Sequence, residues 1–154
     1  MENKTLKIIL IFGFIALVAG LGSLFVYLGS DWFNSLTTPS VWISNFLIPI
    51  VWTVIYLAFA VVFFFWVKKG NGVPKEIYVW GIINGILNVL WCLVFFTFNQ
   101  LFLGLVFIIF NLVAGWIFWQ KIISQNKIYG RILIIYPLWL SIATTLNLAL
   151  WVLN

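Results

Sequence analysis

Five stretches of this chain are each long and apolar enough to cross a lipid bilayer, at roughly 6–28, 44–67, 77–98, 101–120 and 131–153. A helix needs about 20 apolar residues to traverse the hydrocarbon core. No water is available there, so a spanning backbone must bond to itself, as helices or as a closed barrel. A barrel strand has about ten residues and alternates apolar with polar positions; these runs are continuously apolar. The chain is 65% hydrophobic and 7% charged, against about 25% charged in a soluble domain. The expected fold is an all-α membrane protein, a bundle of five transmembrane helices in one domain over residues 1–154.

The breaks between runs have turn chemistry: Gly29-Ser30-Asp31, Lys68-Lys69-Gly70-Asn71-Gly72, Asn99-Gln100 and Ser124-Gln125-Asn126-Lys127. The third is so short that its flanking helices must form a tight antiparallel pair. The basic N-terminal stretch and the apolar run after it look like a signal peptide. The run continues to about Leu28, longer than a signal's apolar region, and reads as an uncleaved first span. With five spans, all eight basic residues fall on one side: Lys4, Lys7, Lys68, Lys69, Lys75, Lys121, Lys127 and Arg131. Positive charge marks the cytoplasmic side, so the N-terminus is expected there and the C-terminus outside. Ile/Asn/Lys-rich usage without a transit peptide fits a bacterial plasma membrane.

Much ordinary chemistry is missing. There is no histidine, and Glu2, Asp31 and Glu76 all lie outside the apolar cores. Buried metal clusters, catalytic triads and carboxylate pairs are therefore excluded. Ion-coupled carriers usually keep ionisable groups within the membrane; these spans have none. No phosphate-cradling glycine loop is present. The scattered basic residues do not form a nucleic-acid patch. The single cysteine, Cys92, allows no intrachain disulfide and reads as a packing residue. No internal repeat supports an inverted-repeat transporter.

Tryptophan and asparagine remain. Of ten tryptophans, Trp32, Trp42 and Trp151 suit an outer aromatic belt, and Trp66, Trp80 and Trp119 an inner one. Trp52, Trp91, Trp116 and Trp139 fall deeper in their spans, where an indole N–H usually needs a partner. Asn84, Asn88, Asn111 and Asn147 also lie within spans, where an amide is costly unless hydrogen-bonded. Asn84, Asn88 and Trp91 share one helix face at i, i+4, i+7; Tyr136, Trp139, Ala143 and Asn147 share another at i, i+3, i+7, i+11. Two readings are open. The stripes are interhelical glue, worth about 1 kcal/mol per contact, or they line a pocket for a flat, hydrophobic ligand.

The long connection at about 29–43 is aromatic and carries Pro39, unlike a flexible linker. It is either an interfacial segment or a lid built from Trp32, Pro39 and Trp42. Gly81 and Gly85 form a GxxxG, and Ala16 and Gly20 a similar pair; both allow close helix approach, within the chain or in a dimer.

Asn84-Gly-Ile-Leu-Asn88-Val-Leu-Trp91 with Phe95-Phe96, and Tyr136-Pro-Leu-Trp139 through Ala143, Asn147 and Trp151 to Asn154, are similar to the TspO/MBR (tryptophan-rich sensory protein, translocator protein) family. Trp32-Phe33, Leu36, Pro39-Ser40, Trp52-Thr53 and Tyr56 match its N-terminal half. Departures stand at Val41, Ile43 and Ser44 with Trp42 displaced, at Pro137 after Tyr136, and at Asn111, where many members carry Asp. The proposed cholesterol-recognition string is not matched in Leu148–Leu153. The resemblance implies a five-helix bundle, commonly a homodimer, that binds porphyrins and similar ligands in a pocket capped by the first loop. It carries over Trp52, Tyr56, Asn88, Trp139 and Ala143 as pocket residues, and links Trp52 and Trp139 to porphyrin photodegradation.

The expected function is binding of a porphyrin or similar flat hydrophobic molecule in a sensory, receptor or translocator role, with no required cofactor and no ordinary enzymatic turnover. The expected ligand-binding residues are Trp52, Tyr56, Asn84, Asn88, Trp91, Tyr136, Trp139, Ala143 and Asn147. The alternatives are light-dependent porphyrin degradation, transport of the ligand, and a ligand-free packing subunit. The expected partners are the ligand, the bilayer and a second copy of the chain.

Overall fold

A computed structural model describes residues 3–69 and 72–154; Met1, Glu2 and the Gly70-Asn71 part of the second break lie outside the described residues. The chain is 85% helical, with no strand among the described residues. Its elements are α1 (Lys4–Leu28), α2 (Ser30–Ser35), α3 (Leu47–Lys69), α4 (Lys75–Cys92), α5 (Leu101–Gln125), α6 (Lys127–Leu133) and α7 (Ile135–Leu153). A π-helical segment, Leu93–Thr97, prolongs α4. Five spans are long and apolar enough to cross a membrane: α1, α3, α4 with its π extension, α5, and α6 with α7.

The spans close into a ring. α1 packs on α3 and α4, α4 on α5, α5 on α6 and α7, and α3 on α6 and α7. The outward faces are apolar, as lipid requires: Leu10, Leu17, Leu57, Phe110 and Val113 are among the exposed residues. The α4–α5 connection is as short as expected. It turns through Asn99 at φ 56°, a left-handed conformation that Asn tolerates better than most residues.

The fifth span is in two pieces. Asn126 caps α6, its Oδ1 accepting from the amides of Ile128 and Tyr129, both at 3.0 Å. The helix therefore starts at Lys127 and not near Arg131. It breaks at Ile134, because Pro137 has no N–H to offer the Leu133 carbonyl one turn back.

Close approach fixes the small residues. A Cβ on Gly130 would stand 2.6 Å from the Cα of Ile123, so only glycine lets α6 lie on α5. A Cβ on Gly85 would stand 2.4 Å from the Phe14 ring, and one on Gly81 3.3 Å from Phe118. The GxxxG of α4 therefore packs inside the chain, against α1 and α5. Gly20 has nothing within 4 Å of its Cβ position and faces outward.

The aromatic belt is corrected at one position and qualified at others. Trp66 is 6% exposed and packs on Tyr129 at a ring distance of 5.1 Å, because α6 folds over the lysine-rich end of α3. Trp119 is half-buried and donates its indole N–H to the Gly130 carbonyl at 2.8 Å. Trp116, expected deep, is half-buried and stands edge-on to Trp119. Trp151 is exposed, beside Phe102.

Candidate functional site

The polar stripes of α4 and α7 meet across the interior of the ring. Trp91 donates its indole N–H to Asn147 Oδ1 at 3.1 Å, and the Tyr136 hydroxyl donates to Asn84 Oδ1 at 3.0 Å. All four side chains are buried. Asn84 and Asn147 each send an amide N–H back to a carbonyl of their own helix, Trp80 and Ala143, at 2.9 Å. Asn111 on α5 joins from the side, 3.5 Å from the Tyr136 oxygen. A hydroxyl has one proton, and Tyr136 uses it on Asn84; Asn111 fits with its Nδ2 turned toward Tyr136. The interhelical-glue reading is thus realised at two points, joining α4 to α7 over the top of α5.

The same residues line two separate spaces. Beneath the first loop lies a small compartment of about 40 Å³, lined by Phe33, Trp42, Ile48, Trp52, Trp91, Phe95, Phe96, Trp139, Ala143, Leu146 and Asn147. Toward the lysine-rich end lies a cavity of about 430 Å³ between α1, α3 and α4, reached also by Phe118 and Tyr136. Tyr56, Asn84, Asn88 and Tyr136 belong to this second space. The nine expected ligand residues are therefore divided, five to the loop-side compartment and four to the lysine-side cavity. Between the two stands a partition: Trp52 stacks on Tyr56 at 5.8 Å, and Asn88 donates its amide N–H to the Tyr56 hydroxyl at 3.0 Å.

Three buried side chains in this interior each keep a polar atom without a hydrogen bond: Trp139, Asn88 and Asn111, whose amide leaves one end bare whichever way it is turned. Trp139 is 6% exposed, and its Nε1 makes no hydrogen bond. Asn88 is 4% exposed, and with Nδ2 on Tyr56 its Oδ1 is bare. Turning the amide over exchanges the bare oxygen for a bare nitrogen. A buried, unmade hydrogen bond costs about 1–3 kcal/mol, and native interiors keep few of them.

The loop closes the first compartment. Trp32 stands edge-on to Phe95 at 5.5 Å, and Phe33 lies 5.3 Å from Phe96. Trp42 bonds Asn45 at 3.0 Å and lines the compartment. Pro39 is half-buried in the loop but does not line either space. The loop is held to the end of α7 by Asn154: the Thr37 amide donates to its Oδ1 at 2.9 Å, and its Nδ2 donates to the Thr37 carbonyl at 3.0 Å. Sequence reasoning named Asn154 only as part of a motif, since a clasp between residues 117 apart has no local signal. Cys92 is buried beside α1, its sulfur 3.6 Å from the Cβ position of Gly22.

The architecture defines a class: a polytopic helical membrane protein with a loop-capped aromatic compartment in its interior. The TspO/MBR family profile matches residues 11–152, and this chain belongs to the TspO/MBR family. A relative is Protein CrtK of Rhodobacter capsulatus, 26% identical over 132 residues, which cover 80% of this chain and 78% of that protein.

Proposed function

We propose that this protein binds a porphyrin or similar flat, hydrophobic molecule in the compartment beneath the first loop, in the plasma membrane of a bacterium, with its lysine-rich end in the cytoplasm. The observation that carries the reading is the Trp139 indole N–H, buried without a partner within walls built largely of aromatic rings. Such walls stack on a flat ring system, and a bare N–H offers it a hydrogen bond. Membership in the TspO/MBR family supports the same reading.

The compartment of about 40 Å³ is far below the roughly 300–1,000 Å³ of a small-molecule site. Ligand entry therefore requires the loop to lift, releasing the Asn154 clasp and withdrawing Trp42. No acid–base pair lines the compartment, so the proposed role is binding, with sensing or delivery as its consequence.

The test is quenching of tryptophan fluorescence by protoporphyrin IX in the purified protein. Saturable quenching with micromolar affinity, about −8 kcal/mol, is expected in the wild type and weaker binding in Trp139→Phe and Ala143→Phe. Saturable quenching that both variants leave unchanged would remove the compartment as the site. Loss of porphyrin absorbance under light and oxygen, abolished in Trp52→Phe, would instead favour photodegradation.

A further inference from the structure

At the lysine-rich end, α6 presents two basic side chains on one outward face. Lys127 and Arg131 stand at i and i+4, and both are exposed. Like charges at that spacing repel each other. Glu76, the acidic residue of this end among the described residues, is engaged by Lys121 at 2.8 Å, and no ion pair among the described residues involves Lys127 or Arg131. Neither residue is on a free loop. Gly130, between them, is packed on Ile123, and its carbonyl accepts the Trp119 indole N–H at 2.8 Å.

Indoles at a membrane surface lie at headgroup level, so the bond from Trp119 to Gly130 sets both cations at the height of the lipid phosphates. Beyond them the same face turns apolar. Ile134, where α6 gives way to α7, keeps helical angles, φ −59° and ψ −27°. Leu138 and Ile142, at i+11 and i+15 from Lys127, therefore continue the face, and they are 49% and 41% exposed. From Arg131 to Ile142 is about 16 Å at the helical rise, close to half of a hydrocarbon core of about 30 Å. A pair of cations above one leaflet's depth of apolar surface matches a phospholipid in charge and in length.

We propose that this face of the fifth span is a binding site for an anionic phospholipid of the leaflet at the lysine-rich end. The Arg131 guanidinium is a planar fork that fits phosphate oxygens in a bidentate pair, and the Lys127 ammonium adds a second charge beside it. Leu138 and Ile142 carry an acyl chain. A zwitterionic lipid brings its own cation to the same place, where it meets two others, so the face selects a head with net negative charge. The site does not depend on porphyrin binding, because it lies on the outside of the ring.

The test is native mass spectrometry of the full chain released from detergent with equal amounts of phosphatidylglycerol and phosphatidylcholine. Two cations near the surface, at about fivefold each, predict a preference for phosphatidylglycerol of about 25-fold. Lys127→Gln/Arg131→Gln should lose most of it. Lys68→Gln/Lys75→Gln removes the same charge from the same end of the molecule and should keep it. Equal retention of the two lipids by the wild type, or an equal loss of preference in both double variants, would overturn the proposal. In nanodiscs, phosphatidylglycerol with a photoreactive diazirine midway along its acyl chain should crosslink mainly to residues 134–145. Equal labelling on the outward face of α5, at Phe110 and Val113, would also overturn it. Inorganic phosphate in tenfold excess should leave those crosslinks unchanged; their loss would make the occupant a soluble anion and not a lipid. The lipid preference and the crosslink map are measured on wild-type protein, so they decide the matter even where a variant misfolds.

Discussion

At the scale of single residues, the interior is governed by the cost of amides and indoles in a medium without water. Trp91 and Asn147 meet because the indole N–H has no other acceptor and the Asn147 oxygen no other donor, the amide N–H being turned back to Ala143, and their bond joins helices that are not ring neighbours. A double-mutant cycle with Trp91→Phe and Asn147→Leu should give a coupling of about 0.6–1.7 kcal/mol, the span seen for hydrogen bonds between membrane helices. Thermal unfolding in detergent measures it. Additive effects would mean that the contact contributes packing and no hydrogen-bond energy. Trp139 is the opposite case. Its N–H is already bare, so Trp139→Phe removes no bond and should leave the melting temperature close to wild type, while weakening porphyrin quenching.

Elements meet here where side chains are smallest. α6 lies on α5 only because Gly130 leaves room for Ile123. Gly130→Leu forces a side chain into backbone, and overpacking of this kind costs about 1–3 kcal/mol. The melting temperature should fall accordingly, whereas Gly20→Leu, on an outward face of α1 with nothing nearby, should leave the monomer's stability unchanged. The loop is a separate element held chiefly at its middle. Asn154→Ala removes both hydrogen bonds to Thr37. Amide exchange at residues 36–46 should then accelerate while α4 and α5 remain protected, and porphyrin should associate faster. Unchanged exchange in that loop would show that the aromatic contacts of Trp32 and Phe33 hold the lid without the clasp.

For the whole molecule, charge places the ends and apolar surface places the middle. The lysines cluster at one end of the ring, and the loop with α2 caps the other. Cysteine introduced as Ser35→Cys should react with an impermeant maleimide from outside intact cells, and Ser124→Cys only after permeabilisation. Cys92 is buried and gives little background. The reverse pattern would invert the proposed orientation and place the lysine-side cavity in the outer leaflet.

The spans were legible from residue order alone, because bilayer thickness converts a count of apolar residues directly into a helix. So were the α4–α5 hairpin and the two polar faces, which follow from 3.6-residue periodicity. The lower boundary of the fifth span was not, since the cap at Asn126 and the break before Pro137 depend on bonds that a hydropathy count ignores. Trp66 read as a belt residue from its distance along the span, and only the fold of α6 over α3 buried it. The candidate site was half legible. Its residues could be chosen by chemistry, since only amides and indoles stand out in so apolar a chain. That these residues divide between a closed compartment and an open cavity was decided by the tertiary structure alone. The division follows from the stacking of Trp52 on Tyr56 one turn along α3 and the bond from Asn88 to Tyr56, and the second is a contact between helices 32 residues apart that no local pattern encodes.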